Sequence, residues 1–500
     1  MPSKSSTHFF GALGVVAVVA VPTIGTADLS PDALWQEWES IAAAKDLRLD
    51  VERREQSTGS LSLFGLSAEF VAPIGGDTVV FSAPEMRLQT LDEDSVAITT
   101  PQGMRLEYTS DASFEANLVF VVASEDLTIT ASGSPDAVAY DSQASELEIN
   151  LEEAKLPGLT ESRFDYQVEG FSGSINGWTA STDPGQIDIS ILSDAAAVDY
   201  HFAFPAIGRE TTARSSSTEN TMSVEIETPF LQDGAILEGG SLTQRASAAS
   251  GHMRNEDLTA GERTVSDISY ENSQTELTLT EKRGSLQATV AEIDAKGSNS
   301  SLPMSDIAFT ISGTYIDLGI PIAQDPAPQD ASLTLSLDAI NVDDGVWNLL
   351  EPAGALARAP LATQIDLAAK VLVGPAARLP QIPDAIETAP FRFTEVTINL
   401  LDLEYSTAKV TGEGAVEFVA PPPDSPIFQP TPAGQLDLTL QGIPELLEAV
   451  AKSGLVPPQQ MMGAQMFLGM FTRPEEDGSL KSQIEAKPSG ELFVNGIQLR

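Results

Sequence analysis

From Leu47 onward the chain keeps a period of two. Leu147, Ile149 and Leu151, then Ile187, Ile189 and Ile191, then Met222, Val224 and Ile226, then Leu277 and Leu279, then Leu333, Leu335 and Leu337 each take every second position. Met86 with Leu88 and Leu127 with Ile129 do the same. The residues between them are polar and often acidic, as in Glu146-Leu147-Glu148-Ile149-Asn150-Leu151-Glu152. Such alternation places the apolar set on one strand face and leaves the other in water. Turn signals separate the runs at Gly75-Gly76-Asp77, Pro101-Gln102-Gly103, Gly133-Ser134-Pro135-Asp136, Asp183-Pro184-Gly185, Gly239-Gly240 and Arg283-Gly284. The spacing predicts antiparallel meanders of roughly twenty strands.

Helical signals are few. Ser30 caps and Pro31 starts a short helix with Leu34, Trp35, Trp38, Ile41 and Ala42 on one face, a face suited to packing on the start of a sheet. A second short helix is expected around Val346 to Leu356. The tail, Pro430 to Arg500, reads strand, helix, helix, strand, strand. Leu436, Leu438 and Leu440 alternate, Pro444 opens a helix closed by Gly454, Pro457 opens another ending near Arg473, and Ser479 to Ala486 with Glu491 to Leu499 form a closing hairpin.

The second tail helix is apolar almost all round. Met461, Met462, Met466, Phe467, Met470 and Phe471 are interrupted only by Gln459, Gln460 and Gln465 among polar residues. Such a helix calls for cover as a core element. Alternatively its flexible, polarisable methionines border a groove for a variable hydrophobic ligand.

Soft joints fall at Lys155 to Arg163, Gly208 to Asn220 and Lys296 to Met304, and a stronger break at Pro321 to Pro328. The expected organisation is a leader over 1–27, a β-rich meander over 28–320, its continuation with a tryptophan-bearing helix over 321–429, and the tail over 430–500. An apolar sheet face must be covered, and four short helices cannot cover so many strands. The fold class is therefore mainly β, a long antiparallel meander closed as an elongated sandwich or curled into a half-tube, with a short N-terminal helix and a C-terminal helical hairpin. A half-tube leaves an apolar trough, and exposed apolar surface generally marks a binding site.

Charge narrows the partners. With 27 basic against 72 acidic residues the net charge is −45, which makes nucleic acid and anionic lipid surfaces poor partners. The chain has no cysteine, which removes disulfides, thiolate metal sites and cysteine nucleophiles together. At the N-terminus Lys4 precedes an apolar run from Phe9 to Val21, Pro22 breaks it, and Gly25-Thr26-Ala27 supplies small residues before a cleavage point between Ala27 and Asp28. About thirteen apolar residues fall short of the ~20 that a bilayer requires. The sequence thus reads as an exported chain, periplasmic or secreted, that is not an integral membrane protein once the leader is removed; an uncleaved anchor is the alternative.

Catalytic chemistry finds little support. Of three histidines, His8 lies in the leader, His201 alternates opposite Tyr200 on a strand, and His252 is placed in a polar loop. No nucleophile elbow, phosphate loop or metalloprotease helix occurs. Ser406-Thr407-Ala408-Lys409 matches a serine–lysine spacing by letters alone, at a strand turn. Asp92-Glu93-Asp94 and Asp343-Asp344 are oxygen-rich turns of a kind that hold calcium weakly. No catalytic residue, metal or cofactor is assigned, and the function expected is non-enzymatic.

The ordered pieces resemble an uncharacterised family of exported proteins of Gram-negative bacteria, domain-of-unknown-function family 2125. The resemblance rests on the leader followed by Asp32-Ala33-Leu34-Trp35, on Val342-Asp343-Asp344-Gly345-Val346-Trp347-Asn348-Leu349-Leu350-Glu351-Pro352 with Gly354, and on the tail. The tail pieces are Pro432-Ala433-Gly434-Gln435-Leu436-Asp437-Leu438, Gly454-Leu455-Val456-Pro457, Met462-Gly463-Ala464-Gln465-Met466 and Asn495-Gly496. Where family members often carry Leu-Pro-Arg-Asp-Pro, this chain has Leu356-Ala357-Arg358-Ala359-Pro360. The family has no established activity, so the resemblance carries over no site. More loosely, the meander is similar to envelope proteins of the AsmA-like type, which look like lipid-conducting grooves. The expectation is an envelope protein that binds or conducts a lipid or other amphiphile; the alternative is a structural or protein-interaction component with a closed core and an envelope protein as partner.

Overall fold

The structure, a computed structural model, describes residues 29–499 apart from 45–46, 72–76, 111–115, 135–136, 178–184, 228–230, 233–234, 237–238, 302–306, 375–390 and 420–429. The chain is mainly β and divides into two compact units, Met1–Leu242 and Thr243–Arg500.

The first unit opens with α1 (Pro31–Ala44), then β1 (Arg48–Asp50), β2 (Arg53–Ser57), β3 (Ser60–Val71), β4 (Thr78–Thr90), β5 (Ser95–Thr99) and β6 (Met104–Ser110). There follow β7 (Ala116–Ala123), β8 (Thr128–Ser134) and the long strands β9 (Ala137–Lys155), β10 (Glu161–Asn176), β11 (Gln186–Phe204) and β12 (Arg209–Glu227), with a short ladder of β13 (Leu231–Gln232) and β14 (Ala235–Ile236). The pairings from β9 to β12 are antiparallel between sequence neighbours.

The N-terminal helix forms as its residues dictate. The Ser30 hydroxyl accepts the Ala33 N–H at 3.2 Å, satisfying one orphan donor of the first turn. Leu34, Trp35, Trp38, Ile41 and Ala42 are buried. The two tryptophans meet edge to face, and Trp38 donates its indole N–H to the Tyr140 hydroxyl at 3.1 Å. This face packs on Leu61, Leu63, Leu66, Met86, Leu88, Val96 and Ile98, the larger of the two cores in the first unit.

The second unit holds β15 (Ser241–Thr259), β16 (Glu262–Thr280), β17 (Arg283–Asn299), β18 (Ile307–Pro321), β19 (Gln329–Val342), α2 (Asp344–Leu350), β20 (Leu361–Val373), β21 (Phe391–Tyr405), β22 (Ala408–Val419) and β23 (Thr431–Gln441). Its tail comprises α3 (Ile443–Ser453), α4 (Pro458–Phe471), β24 (Arg473–Pro474), β25 (Leu480–Ala486), β26 (Leu492–Val494) and β27 (Ile497–Gln498). From β16 to β23 every strand pairs antiparallel with the next, and β25 follows on the far side of β23. The Pro321 to Pro328 stretch is the turn between the paired strands β18 and β19.

The strands are longer than the alternation alone suggests, because the apolar set changes parity part-way along each. In β18 Phe309 and Ile311 are odd-numbered, whereas Ile316, Leu318 and Ile320 are even. In β17 the change lies between Val290 and Ile293, in β19 between Leu337 and Ile340, and in β16 between Tyr270 and Leu277. These places lie side by side in the register: Asn272 stands across from residue 291, that from Gly313, and Gly313 from Asp338. Asn272 and Gly313 have positive φ, at 50° and 60°. A residue in this conformation absorbs the half-step, as in a β-bulge, so the apolar side chains stay on one face across the crease.

The first unit repeats the device. Phe164, Tyr166 and Val168 give way to Phe171 and Ile175 around Gly170 (φ 62°), and Met222, Val224 and Ile226 give way to Ala213 around Glu219 (φ 51°). Here the packing shows that both halves share a face. Tyr140 and Ile175 join the core that also takes Met104, while Ile149 and Phe164 join the core that takes Leu106, the same-face neighbour of Met104 on β6.

Three expectations are corrected. Gly208 to Asn220 is no joint: Arg209 onward is β12, and its run Ser215 to Thr218 is paired in register with Val198, Ala197, Ala196 and Ala195 of β11. His252 is within β15 rather than in a loop. The α2 helix stops at Leu350, because Pro352 disfavours a helical Glu351; the buried Glu351 carboxylate instead accepts the Ala355 and Leu356 N–H groups at 3.0 and 3.3 Å.

Candidate functional site

Following the register from β17 to β25 sorts the side chains of the second unit into two faces. One carries Leu286 and Ile293 from β17, Phe309, Ile311, Ile316 and Leu318 from β18, and Leu333, Leu335, Leu337 and Ile340 from β19. It continues through Ile365, Leu367, Leu401, Leu403, Val410, Leu436, Leu438, Leu440, Leu480 and Ile484. None of the residues that the register and the parity change assign to this face in these eight strands is charged. The opposite face holds the charges, among them Glu292, Asp294, Asp317, Asp338, Asp366, Lys370, Asp402, Lys409, Asp437, Lys481 and Glu485. Cross-strand pairs form there, such as Gln287 to Asp317 at 2.9 Å, Lys409 to Asp402 at 2.9 Å and Gln483 to Asp437 at 3.0 Å.

The uncharged face is not packed into a closed core. Of 33 buried apolar residues among those described, 25 precede Thr243, and both clusters of buried side chains lie in the first unit. Strands β18 to β21 are half-buried along most of their length, and Phe393 is 50% exposed. Two helices touch the sheet, α2 at β18 and α3 at β22. A broad apolar surface is therefore left in reach of solvent, and large exposed apolar patches generally mark interaction sites.

The tail helix of methionines is placed beside this sheet rather than inside a core. Met461 is buried at 6%, whereas Met462, Met466, Phe467 and Met470 are 60–69% exposed. Phe471 is half-buried and stacks on Phe467 with ring centroids 3.9 Å apart. Between α3 and α4 runs an apolar cleft of about 450 Å³ lined by Ile443, Leu447, Gly463, Ala464, Phe467 and Leu468. The expectation of an enclosed core helix is overturned by this exposure. The helix end is fixed by Asn495, whose amide donates to the Phe471 carbonyl at 2.9 Å and accepts from the Gln483 N–H at 2.9 Å. Asn495 and Gly496, both at positive φ, make the tight turn between β26 and β27.

The remaining chemical candidates resolve as structural groups. His201 points away from Tyr200, with Nδ1 3.1 Å from the Thr212 hydroxyl. His252 lies 3.0 Å from Asp267, and that hydrogen bond, with Arg254 beside it, holds the Asp267 carboxyl below its usual range. Asp92 accepts from Ser95 and from the Asp94 N–H, which lowers its pKa in the same way. Asp343 caps α2 through the Gly345 N–H at 2.6 Å, and Arg358 reaches Asp344 at 2.6 Å. Ser406 turns between β21 and β22. Among the described residues no group of acids or histidines is arranged to hold a metal ion. Ala27 and Asp28 lie outside the described residues.

Fold and site thus define a mainly β protein with long antiparallel meanders and one uncharged, partly exposed sheet face. The family model described as "Uncharacterized protein conserved in bacteria (DUF2125)" matches residues 220–487, more than half of the chain, and the chain belongs to this family. That span takes in β15 to β23, both tail helices and β25. No curated protein and no solved structure matches.

Proposed function

We propose that the protein holds an elongated apolar molecule, an acyl chain of a lipid or similar amphiphile, along the uncharged face of β17 to β25. The observation that carries this reading is the complete sorting of charge to the opposite face of a sheet whose apolar face remains partly exposed. Eight strands at ~4.8 Å spacing extend roughly 34 Å along the sheet, close to the ~30 Å hydrocarbon thickness of a bilayer. Such a face takes an extended chain, bound through apolar area rather than through a recognised headgroup.

The reading includes no chemical step: the charged side chains of these strands and His252 sit on the other face, and the Tyr405 hydroxyl on this one donates to the Ala357 carbonyl. The apolar run from Phe9 to Val21 with Gly25-Thr26-Ala27 behind it supports action outside the cytoplasm.

The test is native mass spectrometry of the full chain purified without detergent, followed by titration of a delipidated sample with a fluorescent fatty acid. Saturable binding that Leu335→Glu weakens at least tenfold is expected. A delipidated protein that leaves the probe's emission unchanged defeats the proposal.

A further inference from the structure

The exposed side of α4 points to a second binding surface, for which the sheet face is not needed. Met462, Met466 and Met470 recur every four residues with Phe467 beside them, so they form one apolar stripe on a helix that is exposed round most of its circumference. No charged residue occurs from Ser453 to Thr472. We propose that this stripe seats the α3–α4 hairpin on the surface of an uncharged, zwitterionic lipid layer.

Three observations choose that occupant. Four side chains exposed by about two-thirds present on the order of 500 Å² of apolar surface, short of the ~800 Å² per partner of a stable protein interface. Acids flank the stripe: Glu445 and Glu448 lie on α3, and Glu475, Glu476 and Asp477 follow α4. The nearby cations are engaged, Lys452 with Glu448 at 2.8 Å and Arg473 with the Asn495 carbonyl. A second copy of the chain would bring the same acids against these, and an anionic bilayer would be repelled by them. A zwitterionic surface meets neither obstacle.

The geometry suits shallow insertion. Fourteen residues make a helix about 21 Å long, less than the ~30 Å hydrocarbon core, and no described helix is long and apolar enough to cross a membrane. The methionine side chains are flexible enough to settle among lipid tails. The buried Met461 and the hydrogen bond from Asn495 to Phe471 hold the stripe outward.

The experiment is flotation of the full chain with phosphatidylcholine vesicles, compared with vesicles containing one-third phosphatidylglycerol, at low salt. The protein is expected to float with the first and at least fivefold less with the second. The double substitution Met466→Glu with Phe467→Glu, at exposed positions that leave the fold intact by circular dichroism, should cut flotation at least tenfold. Leu335→Glu, on the sheet face, should leave it unchanged, which separates this proposal from the acyl-binding one. Failure to float with phosphatidylcholine overturns it. A concentration-dependent dimer in sedimentation that the double substitution dissolves overturns it too, by giving the stripe to a second copy.

Discussion

The Asp338 carboxylate of β19 lies over Gly313 of β18, where a Cβ would collide with it. Gly313 sits at φ 60°, on the line where the strands of the second unit change parity. Asp194 covers Gly170 in the same way in the first unit. The glycine is required twice over, for its backbone conformation and for the space above it.

Gly313→Val should therefore destabilise the protein by about 2 kcal/mol or more, since a β-branched residue pays for the left-handed conformation and the collision together. Gly313→Ala combined with Asp338→Ala should recover part of the loss of Gly313→Ala alone. Urea denaturation of the four proteins measures this. Equal loss in the single and double substitutions would show that the carboxylate is not the obstacle.

Buried hydroxyls make a second prediction. Thr314 and Thr363 face the apolar side with oxygens that are buried and have no hydrogen-bond partner. Thr363→Val should leave stability unchanged or raise it by up to about 1 kcal/mol. The same exchange at Thr212, whose hydroxyl is bonded to His201, should not be stabilising. Thermal unfolding of both proteins decides.

Asn495 joins the β26–β27 turn to the end of α4. Asn495→Ala removes two hydrogen bonds from a residue that is 7% exposed, at a cost of about 1–3 kcal/mol. Amide exchange in α4 should quicken while β17 to β20 keep their protection. Uniform loss of protection across the unit would contradict a local role.

Asp267 gives a pH dependence of definite sign. Its carboxyl titrates below the usual range because His252 and Arg254 hold the charged form. A depressed folded pKa stabilises above the unfolded value of ~3.9, and the contribution is lost as pH falls through the folded one. The stability difference between the protein and Asp267→Asn should shrink as the pH falls below 4. A difference that persists at pH 2 would contradict the assignment.

The sequence showed the class of fold because alternation is local: the apolar runs named there lie in strands, apart from Leu127, which directly precedes β8. It understated the strands because parity shifts part-way along them, so that Leu333, Leu335 and Leu337 reveal one half of β19 and Ile340 and Val342, beyond an irregularity in its pairing with β20, the other. The polar run of β12 hid a strand, since Ser215 to Thr218 carry no apolar alternation and are held by backbone pairing to Ala195 to Val198. The tail motifs were legible as letters, but the role of Asn495 required knowing that β26 returns beside the end of α4. The exposure of Met462, Met466, Phe467 and Met470 could not be read from composition, because an apolar helix has the same letters in a core and on a surface.

The central claim, that an acyl chain lies on the uncharged face, is tested most directly by photocrosslinking from two adjacent residues of β19. Leu335→p-benzoyl-phenylalanine places the probe on that face and Thr334→p-benzoyl-phenylalanine on the charged one. Irradiated with bound lipid, the first should gain the mass of a lipid adduct and the second should not. Equal labelling at both, or adducts at Thr334 alone, would contradict the account.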